Sequence, residues 1–391
     1  MDTPKVNPVR RRWSTDGSRR PLDFRIWSGR RAEPEVLMSA GRRRYGVVSR
    51  PPLILNSLDR DILTELYHSG RVTIAGVDPR VSVSRIARRL RTSRARVAAR
   101  IHAWDRSGLM RRYDVWPNPS LFGLVGGSVD LRLVDRLGKP ELFRRLALVD
   151  GTVGAVEFLG EWTSVQLVAP DRYSLERRVR LLGGLDGVAE LGPLFSWESL
   201  EVDRSLSPLE VRIIRALRHN PRRTLVETAR AVGVSPRTMT TRYGALLDEM
   251  LVWFVPEYDF TTLASPVVSL GLQLRSAEER APVLAALRKN LPWFLEFGWS
   301  GFGPVVAPEL LTVFVFAPSA AAIEEIERRA RAVPGVLGVE ANIMVRVVSF
   351  PDAFDSLLAS SDPPERLAPP RLRQFPVVRA RSRSNRPRAR D

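Results

Sequence analysis

The stretch VSVSRIARRLRTSRARVAARIHAWDRSGLMRRYDVW, residues 81–116, contains two short segments with apolar residues at helical spacing. Ser82 or Ser84 is placed to cap the first segment, and Ser93 is placed to cap the second. The residues that share the inward face of the two segments are Ile86, Ala87, Leu90, Val97, Ile101 and Trp104. Only Arg91 and Thr92 separate the segments, so the pattern predicts two helices joined by a tight turn.

A further helix precedes this pair, and a strand follows it. The apolar residues of the preceding helix recur at helical spacing after Asn56 and Ser57, and they are Leu58, Ile62, Leu63 and Leu66. After Gly108, residues 109–115 have the pattern of a strand. Three helices and a strand in this order predict a winged helix-turn-helix, which we assign to residues 51–117.

The outward face of the third helix is rich in arginine, and two interpretations are open. The arginines are either an ordinary solvated helix face or contacts to phosphates and guanine edges in a DNA groove. Small residues at 98 and 99 would allow a close approach to the groove. The candidate DNA-binding residues of this unit are Ser93, Arg94, Arg96, Arg100 and Arg112.

A second stretch, residues 207–260, repeats the pattern. Equivalent residues such as Ser93 and Ser235 are 142 positions apart, whereas the first helices match at 151, as in Leu66 and Leu217. An insertion of nine residues in the first copy explains the difference. Pro236 follows the capping serine at the first helical position, which is a strong start signal. The candidate DNA-binding residues of this second unit, residues 205–260, are Ser235, Arg237, Thr238, Thr241 and Arg242.

Each helical unit is followed by alternating strands and helices. Residues 126–199 have the pattern of the order βαββαβ, and residues 265–349 repeat it. This order is typical of a ferredoxin-like antiparallel sheet with helices on one face. The sequence therefore predicts an α+β chain in which two winged helix-turn-helix units alternate with two ferredoxin-like domains, at 118–204 and 261–352.

The ends of the chain differ from its middle. The net charge is +18, but residues 1–50 contribute +8 and residues 371–391 contribute +7. Both ends lack apolar periodicity and are rich in Pro, Ser and Gly, so we expect disorder at 1–50 and 353–391. Met38 is a plausible start of a shorter chain, so residues 1–37 need not belong to the working protein.

Composition also excludes several kinds of site. The chain has no cysteine, which excludes disulfides and thiolate chemistry, and its three histidines show no metal-ligand spacing. No apolar run approaches the ~20 residues of a membrane helix, and no secretory signal precedes the first domain. We therefore expect a soluble cytoplasmic, nucleoid-associated protein with no metal, no cofactor and no catalytic residue.

The chain resembles the leucine-responsive/asparagine regulator (Lrp/AsnC) transcription factors. The resemblance rests on LDRDILTELYHSGR, on SRIARRLRTSRARVAARIHAWDRSGLMRRY and on the hairpin EFLGEWTSVQLV. It extends over about residues 58–349, and this range contains the family's arrangement twice. It implies winged helix-turn-helix units, ferredoxin-like (RAM-type) effector and oligomerisation domains, and binding of double-stranded DNA. It also implies self-association through the sheets, here with two copies in tandem within one chain.

The resemblance further implies an effector site at the hairpin of each ferredoxin-like domain. Gly160, Glu161 and Trp162 occupy this position in the first domain, and Gly298 and Trp299 occupy it in the second. The final acid of the family's turn is absent from both, although Glu161 is a possible substitute. Two interpretations stay open: a small-molecule effector site with aromatic walls, or tryptophans that pack in an interface.

Two other functions remain as alternatives to a sequence-specific regulator. Some proteins that resemble this family are haem-pathway decarboxylases, similar to sirohaem decarboxylase, and these rely on histidines in the ferredoxin-like part. Here His68, His102 and His219 all lie in the helix-turn-helix units, which favours the regulator. The other alternative is a DNA-compacting architectural protein without sequence preference. Within the regulator hypothesis, we expect the two ferredoxin-like copies to pair within one chain. The aromatic residues between 293 and 302 predict a further contact between chains through residues 293–310.

Overall fold

The structure is a computed structural model of the chain. The residues that it describes are 52–69, 82–197, 202, 204–221, 223–291, 294–295, 309–350 and 352–360. The predictions for 1–50 and 361–391 and for Gly298 and Trp299 lie outside these residues. Most of the aromatic segment 293–302, predicted to join two chains, lies outside them as well.

The first helical unit has the predicted three helices. They are α1 (Ser57–Ser69), α2 (Val83–Arg89) and α3 (Arg94–Ser107). Ser93 caps α3 by accepting a hydrogen bond from the backbone N–H of Arg96, and Gly108 ends it in the left-handed conformation that glycine adopts without strain. Trp104 and Val97 are fully buried, which confirms the predicted inward face of α3.

The second helical unit has the same order of helices and stronger caps. They are α6 (Pro208–His219), α7 (Leu225–Val232) and α8 (Pro236–Asp248). A capping box begins both α6 and α7, because Ser207 and Thr224 each exchange hydrogen bonds with a glutamate three residues later. Ser235 caps α8 by accepting from the N–H of Thr238, and Met239 lies fully buried on the inward face.

The strand after each helical unit pairs with the strand after the other. The two strands are β1 (Met110–Pro117) and β6 (Val252–Asp259), and they run antiparallel. Every residue of β6 is buried, so neither of its faces is available to solvent. The strand predicted over residues 109–115 is thus present, and its partner comes from the opposite half of the chain.

The remaining strands form one antiparallel sheet with two sets of helices. The elements of the first half are β2 (Val125–Leu133), α4 (Lys139–Leu146), β3 (Thr152–Phe158), β4 (Trp162–Ala169), α5 (Arg172–Gly183) and β5 (Val188–Trp197). Those of the second half are β7 (Val267–Leu274), α9 (Arg280–Asn290), β8 (Phe294–Leu295), β9 (Leu310–Phe316), α10 (Ala322–Arg331) and β10 (Val336–Ser349). Their spatial order is β5-β2-β4-β3-β10-β7-β9-β8.

The long strand β10 joins the two halves. Its first part, residues 336–344, pairs with β7, and its last part, residues 344–349, pairs with β3 of the first half. Val347 also pairs with Tyr258 of β6, so the sheet and the β1–β6 pair meet at this strand. A register shift between Met344 and Arg346 lets β10 change partners. Backbone hydrogen bonds therefore connect both halves.

Two apolar cores fill the space between the sheet and its helices. One lies under α4 and α5 and contains Leu131, Leu146 and Leu182, all fully buried. The other lies under α9 and α10 and contains Leu270 and Leu287. A third and larger cluster unites both helical units with β1 and β6. The alternation of buried and half-buried residues in β2 is the predicted strand pattern, because only one face of that strand meets helices.

The C-terminal boundary predicted at residue 353 was wrong. Residues that we expected to be disordered begin a helix, α11 (Asp352–Ser360), which follows β10 directly. Phe354 and Leu358, one turn apart on this helix, are almost completely buried in the large cluster. The apolar spacing of these two residues was the signal, and the short length of the helix beside an Arg-rich tail hid it.

Candidate nucleic-acid interface

The outward faces of α3 and α8 present the predicted side chains. Arg94 and Arg96 are exposed at the start of α3, and Arg237 and Thr241 are exposed on α8. Thr238 is half-buried, and its hydroxyl lies 2.9 Å from that of the capping Ser235. Both capping serines use their hydroxyls within the chain, so their part at a DNA surface is to set the start of each helix.

Arg100 does not face outward as predicted. Its guanidinium donates to the fully buried carboxylate of Asp59, with Nε–Oδ1 at 2.7 Å and Nη2–Oδ2 at 2.5 Å. The indole N–H of Trp104 donates to the same carboxylate at 2.8 Å. Asp61, two residues further along α1, does not take this place, because its carboxylate accepts from its neighbour Arg60. Asp59 faces α3 because it lies on the inward side of α1.

The equivalent arginine of the second unit has a different environment. Glu210 replaces Asp59, and its fully buried carboxylate accepts two hydrogen bonds from Arg204, at 2.9 and 3.0 Å. Arg242 lies 3.8 Å from Glu210 with its side chain 49% exposed, whereas that of Arg100 is 24% exposed. Arg204 has thus taken the place that Arg100 holds in the first unit, and Arg242 remains accessible from solvent.

The charge on Glu210 is stabilised where it is buried. Burial opposes ionisation, but hydrogen bonds from Arg204 and Ser207 outweigh it and hold the pKa of Glu210 below its ordinary value. Arg204 also donates to Glu249 at the end of α8. This arginine therefore ties the segment before α6 to the end of α8, a role that we did not predict. The signal was available, because Asp59 and Glu210 are 151 positions apart, as are the other equivalent residues of the first helices.

Arg112 remains a prediction. Its backbone lies in β1 opposite Glu257 of β6, while its side chain is outside the described part of the structure. Among the described residues, no group of three or more His, Asp or Glu side chains is arranged to hold a metal ion. Within the same residues, no helix combines the length and the apolar character that a membrane span requires.

The hairpin between β3 and β4 carries the first predicted effector residues. Gly160 and Glu161 are exposed, and the carboxylate of Glu161 lies 3.6 Å from the guanidinium of Arg132. Trp162 is half-buried, and its carbonyl accepts a hydrogen bond from Nζ of Lys139 at 2.9 Å. Lys139 also donates to the carbonyl of Phe158. A buried lysine, which sequence reasoning missed, therefore holds both ends of the hairpin.

Lys139 predicts a pH dependence of stability. Burial lowers its pKa from 10.5 to about 8, so the unfolded chain binds this proton more tightly than the folded chain. Folding should therefore become more favourable as the pH rises from 8 to 10.5. We expect the unfolding free energy of the wild type to gain ~1 kcal/mol relative to Lys139→Met over this range, since the carbonyl contacts offset part of the burial cost. Denaturant unfolding at pH 7 and pH 10 measures the difference, and a constant difference would contradict the prediction.

Residues 206–249 match the family described as winged helix-turn-helix DNA-binding. The chain therefore contains a winged helix-turn-helix of DNA-binding type around α6, α7 and α8. The match ends just before β6.

The search of curated proteins gave no match. The siroheme decarboxylase NirDL is similar at 13% identity, over 78% of this chain and 98% of that chain, with a TM-score of 0.45. AsnC of E. coli is similar at 18% identity, over 36% of this chain and 92% of that chain, with a TM-score of 0.24. An AsnC family transcriptional regulator from Agrobacterium tumefaciens gives 16% identity, 35% and 89% coverage, and a TM-score of 0.24. With TM-scores below 0.5, none of these likenesses assigns an activity to the chain.

Proposed function

We propose that the chain is a sequence-specific DNA-binding transcriptional regulator. The observation that carries the proposal is the family match over 206–249 together with the exposed face of α8. Arg237 and Thr241 are exposed on this face, and their side chains can donate hydrogen bonds to base edges. They lie near the start of α8, and a helix of this size can enter a major groove. The chain acts in the cytoplasm, on double-stranded DNA, and not as an enzyme.

The first helical unit is proposed as a second DNA-binding unit. Its helices follow the same order as those of the second unit, and its exposed Arg94 and Arg96 stand where the second unit has Pro236 and Thr238. The proposal treats the chain as a tandem duplication of the Lrp/AsnC arrangement. Its divisions are 51–117 and 205–260 for the winged units, and 118–204 and 261–352 for the ferredoxin-like domains.

The buried network separates two roles among the predicted arginines. Arg100 holds α3 to α1 through Asp59, so it supports the DNA-binding surface from behind. Arg242 is accessible and contacts a phosphate, because Arg204 already neutralises Glu210. Base contacts then fall to the exposed residues at the start of each recognition helix, which are Arg94, Arg96, Arg237, Thr238 and Thr241.

The hairpin 158–162 is proposed as the place where a small effector acts. Glu161 offers an exposed carboxylate beside the half-buried Trp162, and Lys139 holds the carbonyls of Phe158 and Trp162 on either side of it. The corresponding residues in the second half, Gly298 and Trp299, are proposed by sequence equivalence alone. Self-association of chains through the ferredoxin-like domains belongs to the same proposal.

Selection from a random pool of DNA duplexes tests the function. The full chain should enrich one bipartite site whose half-sites are ~10 base pairs apart, or a multiple of that distance. The half-sites should be unequal, since one helix presents Arg94, Ala95 and Arg96, and the other presents Arg237, Thr238, Thr240 and Thr241. A perfectly palindromic site would contradict the unequal roles. Binding without any enrichment would identify an architectural protein, and a tetrapyrrole absorption spectrum of the purified chain would point to the enzyme.

The terminal segments give a prediction about affinity. Deleting residues 1–37 and 371–391 should lower DNA affinity and flatten its dependence on salt, while the preferred site stays the same. The reason is that the arginines of these segments are proposed to release counterions from DNA without reading bases. Titrations of selected and random duplexes at ~50 and ~200 mM salt measure the slope. A changed site after deletion would show that the terminal segments take part in base recognition.

A further inference from the structure

We infer that Arg218 is a positioning residue that anchors the second helix-turn-helix to the first half of the chain and so sets the distance between the two recognition helices. The inference rests on the proposed function for its meaning in DNA binding. Its structural part concerns α6, β1 and α11, three elements that are far apart in sequence.

The guanidinium of Arg218 is buried between acids from two elements. Its side chain is only 2% exposed. Nε donates to Oδ1 of Asp355 on α11 at 2.5 Å, and Nη1 donates to the backbone carbonyl of Val115 on β1. Nη1 also lies 3.4 Å from Oδ1 of Asp114. Arg218 thus links one helix of the second unit to the strand that follows the first unit and to the C-terminal helix.

Aromatic packing encloses this group of charges. The guanidinium carbon of Arg218 lies 5.9 Å from the centre of the Phe354 ring, and the rings of Phe354 and Trp116 are 5.8 Å apart. The indole N–H of Trp116 donates to Asp114 at 3.1 Å. An added Cβ at Gly154 would meet Trp116 at 3.0 Å, so this ring lies directly on β3. The helices α6 and α11 therefore meet the strands β1 and β3 at one place. We call it the Arg218 junction and define it by Arg218, Asp114, Trp116, Phe354 and Asp355.

The first unit cannot form the same junction. The position equivalent to Arg218, 151 residues earlier, is Tyr67, and the position equivalent to Asp114, 142 residues later, is Pro256. Neither the cation nor the acid is present, so the ion pairs have no counterpart by residue type. The position of Arg218 is therefore taken by different chemistry in the two helix-turn-helix units, and the buried arginine at this position belongs to the second.

The chemistry of the junction favours a fixed orientation of α6 more than it raises the stability of the fold. Removing two charges from water costs free energy that their attraction offsets only with good geometry, whereas the planar guanidinium fixes direction through several donors. Ile213 of α6 and Leu246 of α8 are buried in the same apolar cluster, so an anchored α6 also anchors the recognition helix α8. A protein that binds two half-sites needs such a fixed separation to prefer one spacing.

Distance measurement between the recognition helices tests the structural part. The chain has no cysteine, so cysteines at Ala99 and Thr241, which are exposed and occupy equivalent positions, carry a pair of spin labels. The wild-type background should show one narrow distance distribution. Asp355→Asn removes a charge at a carboxylate that is 45% exposed, and the narrow distribution should be lost. Asp355→Glu should restore it, and Asp352→Asn, at an exposed acid of the same helix, should leave it unchanged.

A DNA measurement tests the functional part. For the wild type, inserting ~5 base pairs between the two half-sites of the selected duplex turns one of them to the opposite side of the helix and should weaken binding. In Asp355→Asn the ratio of the affinity for the selected spacing to the affinity for the lengthened spacing should fall by about tenfold, or ~1.4 kcal/mol. The affinity for a single half-site should stay the same. Circular dichroism and the thermal midpoint establish that each variant is folded.

The outcomes are distinguishable. Equal distance distributions in folded Asp355→Asn and Asp352→Asn would overturn the inference, as would a broad distribution in the wild type. Equal spacing ratios in these two variants would overturn the role of the junction in half-site spacing. If the wild type enriches no DNA site, the proposed function fails, and the spin-label distances still decide whether Arg218 positions the second unit.

Discussion

Replacing Asp59 by alanine is expected to lower the free energy of unfolding by about 3–5 kcal/mol, the largest single effect that we predict. The carboxylate is fully buried and accepts hydrogen bonds from both Arg100 and Trp104. Its removal leaves Nε of Arg100 and the buried indole N–H of Trp104 without their acceptor, while Nη2 of Arg100 keeps the carbonyl of Ile54. Unsatisfied buried groups are costly. Denaturant unfolding of the full chain measures the loss.

Asp61 is the matched control for this prediction. It has the same side chain on the same helix, but its side chain is 41% exposed and pairs with the adjacent Arg60. Exposed ion pairs contribute little, so Asp61→Ala should cost less than ~1 kcal/mol. Equal losses in the two variants would contradict the structural role of Asp59. Preserved DNA preference in the folded Arg100→Ala variant would add that this arginine does not read bases.

The repeated helices and strands were predictable because apolar spacing and capping residues are local signals. Ser93 and Ser235 cap α3 and α8 where they were expected to, and the strands and helices of each half follow the predicted order along the chain. Pairing between distant strands was less accessible. The β1–β6 pair and the dual partners of β10 depend on which faces meet in three dimensions, and neither has a local signature.

The candidate site was predicted in outline, and its errors have a common cause. Outward direction on a helix was inferred from spacing alone, and Arg100 violates it because a buried acid on another helix attracts its long side chain. The role of Arg204 was hidden for the same reason, since it precedes α6 in a segment without periodicity. Sequence spacing locates a helix face, whereas the partner of a charged side chain depends on tertiary contacts.

The structure adds information about two residues of the effector hairpin region. Glu161 was named as a possible substitute for the missing acid of the family's turn, and the guanidinium of Arg132 lies 3.6 Å from its carboxylate, where a cationic ligand group would have to compete with it. The lysine that fixes the hairpin was unexpected, although Lys139 is one of only three lysines in a chain with 61 basic residues. A lysine ammonium can approach two carbonyls as a point donor, which the wider planar guanidinium of arginine does less easily.

Replacing Arg237 by alanine is expected to weaken binding to the selected DNA site by ~1–3 kcal/mol and to relax the preference at one base pair. The side chain is exposed at the first turn of α8, directly after the capping Ser235 and Pro236. From this position an arginine reaches the edge of a guanine with two parallel hydrogen bonds. Arg96→Ala should act in the same way on the half-site read by α3.

Arg237→Lys distinguishes base reading from phosphate contact. Lysine keeps the positive charge, so a phosphate contact would largely survive, whereas the paired hydrogen bonds of the guanidinium would not. We therefore expect the lysine variant to retain its affinity for random duplexes and to lose discrimination between the selected site and a site changed at one base pair. Equal losses on selected and random DNA would assign Arg237 to phosphate. In that case base reading on α8 would fall to Thr238 and Thr241, whose hydroxyls accept as well as donate and therefore discriminate between bases less sharply.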